Sequence, residues 1–92
     1  CGTCHPFNVF DIEGDHTLQL VEIPLIVMDG TLRFYRSLTP IAAMEVVSKL
    51  ARRCRDVEGT FTLLWHNTSF GVDWTGWRKA YLAELNDLGG LL

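Results

Sequence analysis

The chain has no block of like charges, no internal repeat, no low-complexity linker and no apolar run of membrane-spanning length. Its 8 basic and 11 acidic residues sum to −3. That balance excludes sequence-independent nucleic-acid binding, which needs clustered Lys and Arg against phosphates. It also excludes attraction to an anionic membrane surface. The cleanest apolar run, Ile23 to Met28, is far shorter than the roughly 20 residues a spanning helix needs. Collagen, coiled coil and disordered tail are excluded by a composition that is 48% hydrophobic and 21% charged. Cysteine is scarce, and its count of 3 is odd. An odd count argues against a disulfide framework and favours a reducing, cytoplasmic compartment. There is neither an initiator Met nor a signal peptide before Cys1. The 92 residues make one α/β unit, expected to be a piece of something longer.

The order of elements is legible from hydrophobic periodicity. Residues Cys1 to Thr17 show no period and read as an irregular entry segment, with Glu13-Gly14-Asp15 as a turn. The apolar run from Leu18 to Met28 follows. Its end, Leu25 to Met28, has no polar face, as in a strand buried on both sides in a parallel sheet. Pro24 cannot donate to a ladder and suits the first residue of that strand or a bulge, while Asp29-Gly30 ends it. Thr39 then fits a helix N-cap, with Pro40 at the first helical position. Ile41, Met44, Val47, Leu50, Cys54 and Val57 trace one helical stripe. Arg52, Arg53 and Arg55 suit the negative end of the helix dipole, and Gly59 suits the stop. Thr60 to Trp65 is β-branched and aromatic, a second strand. Trp74, Trp77, Tyr81, Leu85 and Leu88 predict a second helix over about 74–88, halted by Gly89-Gly90.

Strand, helix, strand, helix is the order of a right-handed parallel unit. Parallel pairing places the residues after both strands on one edge, where α/β chemistry collects. Asp29 and His66 are those residues. A His at the end of an apolar strand is either a structural core residue or a general acid tuned by its surroundings and a carboxylate. Asp29 is either that orienting carboxylate or a turn residue. Asn67-Thr68-Ser69 matches a glycosylation sequon and reads as the loop after the strand. Trp74 and Trp77 belong to the core, with one of them edging a sugar site. Asp11, Glu13 and Asp15 lack EF-hand spacing and read as a solvated turn. Cys1-Gly2-Thr3-Cys4-His5 matches the short haem-attachment pattern, without a preceding helix to pack a haem. Pro6 speaks against a thioredoxin-like dithiol, and a zinc site lacks a second tight pair of ligands. Reduced loop thiols remain for Cys1 and Cys4, and a core position for Cys54.

Several of these residues resemble a known family. Leu64-Trp65-His66 is similar to the Leu-x-His motif near the end of bacterial polysaccharide deacetylases of the chitooligosaccharide-deacetylase type, a carbohydrate esterase family. Cys4-His5-Pro6-Phe7 is similar to its Arg-x-Pro-Tyr/Phe motif, with Cys4 in place of Arg. Glu22-Ile23-Pro24-Leu25 and Met28-Asp29 fall where the family carries the strand between those motifs. The resemblance implies a partial (β/α) barrel-like unit, the C-terminal section of a metal-dependent carbohydrate N-deacetylase hydrolase. It implies His66 as the general acid that protonates the departing amine, with Asp29 orienting it. Leu64 would line the pocket for the acetyl methyl. The Phe7 backbone N–H would help hold the oxyanion, and Trp74 would edge the sugar. A divalent metal, zinc by family habit, is implied for the parent domain, but its ligands are not in this chain. The chain alone is therefore expected to be inactive. The alternative is a small non-enzymatic α/β module that dimerises or binds a partner through exposed sheet edges.

Overall fold

The computed structural model describes residues 2–90. Its first element is a hairpin, not an irregular segment: β1 (Phe7–Asp11) pairs antiparallel with β2 (His16–Glu22). The turn is built by Asp11, whose Oδ1 accepts the N–H groups of Glu13 and Gly14, both at 3.1 Å. An aspartate that bonds its own backbone two and three residues on is a turn former in its own right. A bulge between Asn8 and Phe10 breaks the two-residue alternation of β1. That break hides the strand from a periodicity reading.

The apolar run is likewise divided. β2 ends at Glu22, and β3 is only Val27–Met28. Between them Pro24 is buried, while Leu25 is 48% exposed rather than enclosed on both faces. β3 pairs in parallel with β4 (Leu63–Leu64), Val27 against Leu63 and Met28 against Leu64. Just before the pair, the N–H groups of Ile26 and Val27 both reach the Thr62 carbonyl, at 3.1 and 3.4 Å. The parallel pairing is as expected, but the expected strand over Thr60–Trp65 shrinks to two residues.

The barrel-like expectation is overturned. Among the described residues the strands form two separate sheets of two strands each, β1-β2 and β3-β4. Closing a barrel needs about eight strands, each hydrogen-bonded on both sides. Here the hairpin satisfies its inner edge on itself, and β3 and β4 have only one another. Among the described residues the fold is a small α/β arrangement with no closed sheet.

Two helices cover the parallel pair. α1 (Pro40–Asp56) starts as expected: Thr39 is the N-cap, its Oγ1 accepting the Ala42 N–H at 3.3 Å, and Pro40 opens the helix. Ala43, Met44, Val47, Ala51 and Cys54 are its buried face, whereas Ile41 and Val57 are exposed. The stop is a Schellman motif. The Glu58 N–H bonds the Arg55 carbonyl at 3.0 Å and the Gly59 N–H bonds the Cys54 carbonyl at 2.8 Å. Glu58, not Gly59, takes the left-handed conformation, with φ of 56°.

α2 (Trp77–Gly89) begins three residues later than expected. Gly76 precedes it with φ of 88°, a left-handed conformation that no helix continues through. Trp74 therefore lies in a 3-10 turn, Val72–Trp74, which the Thr75 hydroxyl closes by donating to the Val72 carbonyl at 2.7 Å. The buried core is Val27, Leu32, Ala43, Met44, Val47 and Trp77, one residue or more from each of β3, α1 and α2 and from the turn between β3 and α1. Ser48 of α1 donates its hydroxyl to the buried Glu84 carboxylate of α2, locking the helix pair. Among the described residues no helix is long and apolar enough to cross a membrane.

Candidate acid-base site at the end of the parallel pair

The parallel register dictates the site. Asp29 follows β3 directly, and His66 stands two residues beyond β4, so the two chain ends leave the sheet side by side. The His66 ring Nδ1 lies 2.7 Å from Asp29 Oδ1. The His66 backbone N–H also donates to Asp29 Oδ2 at 2.7 Å. One carboxylate thereby grips both the ring and the main chain of the same residue.

Asp29 is 1% exposed, and a lone carboxylate so placed would be costly. It is not left alone. Beyond the two bonds from His66, the Gly30 N–H donates to Oδ1 at 2.7 Å and the Ser69 hydroxyl to Oδ2 at 2.5 Å. Burial by itself raises the carboxyl pKa. The hydrogen bonds from Ser69, from the His66 main chain and ring, and from Gly30 outweigh it and hold the group below its ordinary value. Asp29 is therefore a carboxylate at neutral pH and an acceptor on every side. That fixes the His66 tautomer: Nδ1 carries the hydrogen that Asp29 accepts, and Nε2 is left for outside chemistry. The His66 side chain is 51% exposed, so it can meet a solute.

Ser69 is the member that sequence reading missed. It sits in a 3-10 turn, Asn67–Phe70, and is 2% exposed. The Asn-Thr-Ser triplet reads as a glycosylation signal or a loop, and only the tight turn aims Ser69 back beneath the strand ends. A hydroxyl residue three positions after a candidate acid is the one trace of it in the sequence.

The other expected site residues are distributed unevenly. Leu64 ends β4 and is 41% exposed. Residues two apart on an extended chain share a face, and His66 remains extended at ψ of 146°, so Leu64 flanks it. Trp74 is half-buried in an aromatic cluster. Arg33 lies over its ring at 4.4 Å, Phe34 meets it edge-on at 5.6 Å, and Trp77 does so at 5.4 Å. Trp65, between Leu64 and His66, stacks on Tyr81 at 4.4 Å and anchors the strand end to α2. Phe7 belongs to another element. It opens the hairpin, paired with Glu22, in a sheet separate from β3 and β4.

No group of three or more His, Cys, Asp or Glu among the described residues is arranged to hold a metal ion. The described residues thus form no ligand set for the divalent metal implied by the resemblance. For the haem-like pattern, Cys1 lies outside the described residues, and Cys4 packs against Gly59 and shares a cleft with Cys54. Compared with protein-family models, curated proteins and solved structures, the chain matches none.

Proposed function

We propose that the chain carries the proton-donating part of a carbohydrate N-deacetylase-like hydrolase site, with His66 as general acid and Asp29 as its orienting carboxylate. The observation that carries this reading is the 2.7 Å contact between His66 Nδ1 and the buried Asp29. A protonated His66 holds two ring hydrogens. Asp29 accepts the one on Nδ1, and the one on Nε2 passes to the amine as the C–N bond of the acetamide breaks. The hydrogen bond to Asp29 keeps the ring from rotating away. Leu64 offers an apolar contact for the acetyl methyl, and Trp74 an aromatic edge for a sugar. Phe7 has no part in this reading. A divalent metal would supply polarisation of the acetamide, and a base would activate water, from residues other than these. The odd number of cysteines in the sequence, 3, supports a cytoplasmic setting for the protein.

The test combines binding with turnover. An N-acetylated chito-oligosaccharide should shift the His66 ring resonances and quench tryptophan emission, whereas the fully deacetylated oligomer should do neither. The chain alone should release no acetate. Equal response to both oligomers, or acetate release by the unaccompanied chain, would overturn the reading.

A second reading, an association module, is favoured by one observation: the hairpin exposes Phe10, Ile12, Leu20 and Val21. Trp77, only 5% exposed, takes no part in that surface.

A further inference from the structure

The fold brings together two cysteines that lie fifty positions apart in sequence. Cys54 is buried in the last turn of α1, and Cys4 is partly exposed in the entry segment; both are free thiols. Gly59 is the hinge of their contact. Its N–H bonds the Cys54 carbonyl at 2.8 Å, and the N–H of the next residue, Thr60, bonds the Cys4 carbonyl at 2.8 Å. A Cβ on Gly59 would collide with the Cys4 sulfur and stand 3.0 Å from its carbonyl oxygen. The glycine is therefore required by the close approach of Cys4, not by a left-handed backbone. Gly59 thus lies between the Cys4 side chain and the end of the helix that carries Cys54. Both line one open cleft, together with Gly2, Ile26 and Val57, through which a small solute has access.

We propose that Cys4 and Cys54 are an oxidisable thiol pair, which a hydroperoxide converts to a disulfide. The more exposed Cys4 reacts first. Its thiolate sulfur attacks the O–O bond of hydrogen peroxide, an S–O bond forms, and hydroxide leaves to become water. Cys54 then attacks the sulfenic sulfur, the S–O bond breaks, and the departing hydroxide takes the Cys54 proton as a second water. Two thiols are oxidised and one peroxide is reduced, with no other reactant. Burial first, and then the neighbouring Cys4, push the Cys54 thiol above its ordinary pKa. That suits a resolving thiol kept protonated until the sulfenic acid forms beside it. The product would fasten the entry segment to the junction between α1 and β4. This site stands apart from the hydrolytic reading and does not depend on it.

Cys1 is the competing thiol, so the test begins with the Cys1→Ser chain. After treatment with hydrogen peroxide, intact mass should fall by two hydrogens, and peptide mapping should show Cys4 joined to Cys54 in the monomer. Dithiothreitol should restore both thiols. In Cys54→Ser this species should be lost, with oxygen accumulating on Cys4 instead. Performed in denaturant, the same treatment should give a linked fraction severalfold lower, because the fold supplies the proximity. Oxygen adducts on Cys4 beside a reduced Cys54 in the folded chain would overturn the proposal. So would links only between chains, or an undiminished yield in denaturant.

Discussion

Asp29 and His66 divide their burden unequally, and that asymmetry can be measured. Asp29 is buried and accepts from Gly30, Ser69 and both donors of His66, whereas the His66 ring is half in water. Replacing Asp29 by Asn keeps the shape, but turns one acceptor oxygen into a donor facing donors. That strands buried groups at about 1–3 kcal/mol each. Asp29→Asn should therefore lower unfolding free energy in urea by about 2–4 kcal/mol. His66→Ala should cost under about 1.5 kcal/mol, because Asp29 keeps its main-chain donors and Ser69. Similar losses for the two variants would contradict the arrangement. The pH dependence has a definite sign. The folded Asp29 pKa lies below its ordinary value of 3.8, so its contribution is present above that value and is lost as pH falls through the lower, folded one. Wild-type stability should drop below about pH 4 with a component missing in Asp29→Asn, as seen by comparing urea midpoints of the two proteins from pH 6 down to pH 2.

At the scale of elements, the two helix boundaries make opposite predictions about glycine. Glu58 occupies a left-handed position where a side chain costs about 1 kcal/mol, so Glu58→Gly should raise the thermal midpoint by a few degrees. Gly76, with φ of 88°, should not tolerate a side chain: Gly76→Ala should cost about 1–2 kcal/mol by urea denaturation. These positions also show what was legible. α1 could be read because its cap, its proline and its stripe are local signals that agree, Thr39, Pro40 and Met44-Val47 among them. The acid-base pair could be read because a parallel crossover must bring the residues after its two strands together. The hairpin could not, because the bulge at Asn8 and Phe10 spoils alternation and its stability comes from cross-strand pairing. The start of α2 was misplaced for a related reason. Trp74 keeps helical spacing with Trp77 and Tyr81, but the left-handed Gly76 between them is a backbone fact that spacing does not contain. Ser69 depends on a single 3-10 turn and has no periodic signature at all.

The whole molecule is too open for its mass. Its accessible surface is 6625 Å², against about 5,400 Å² for a compact monomer of this size. Its radius of gyration is 15.6 Å, with extents of 47 × 28 × 20 Å, where a compact chain of this length gives about 12 Å. The excess has a place. The hairpin contacts itself far more than it contacts any helix, and Phe10, Ile12, Leu20, Val21 and Ile23 are each more than half exposed. Isolated two-stranded hairpins are marginal in water and gain stability by packing on a further surface. A standard interface removes about 800 Å² from each partner, which is less than this chain has to spare. Two copies meeting hairpin to hairpin would meet that requirement, and their free strand edges could pair across the contact. Sedimentation equilibrium should therefore give twice the chain mass at micromolar concentration. The paired substitutions Ile12→Lys and Leu20→Lys should return it to the monomer while leaving the α1–α2 core, and its tryptophan emission, unchanged. A wild-type chain that stays monomeric at high micromolar concentration, with the hairpin amides still protected from exchange, would show that the hairpin stands without a partner and would end the association reading.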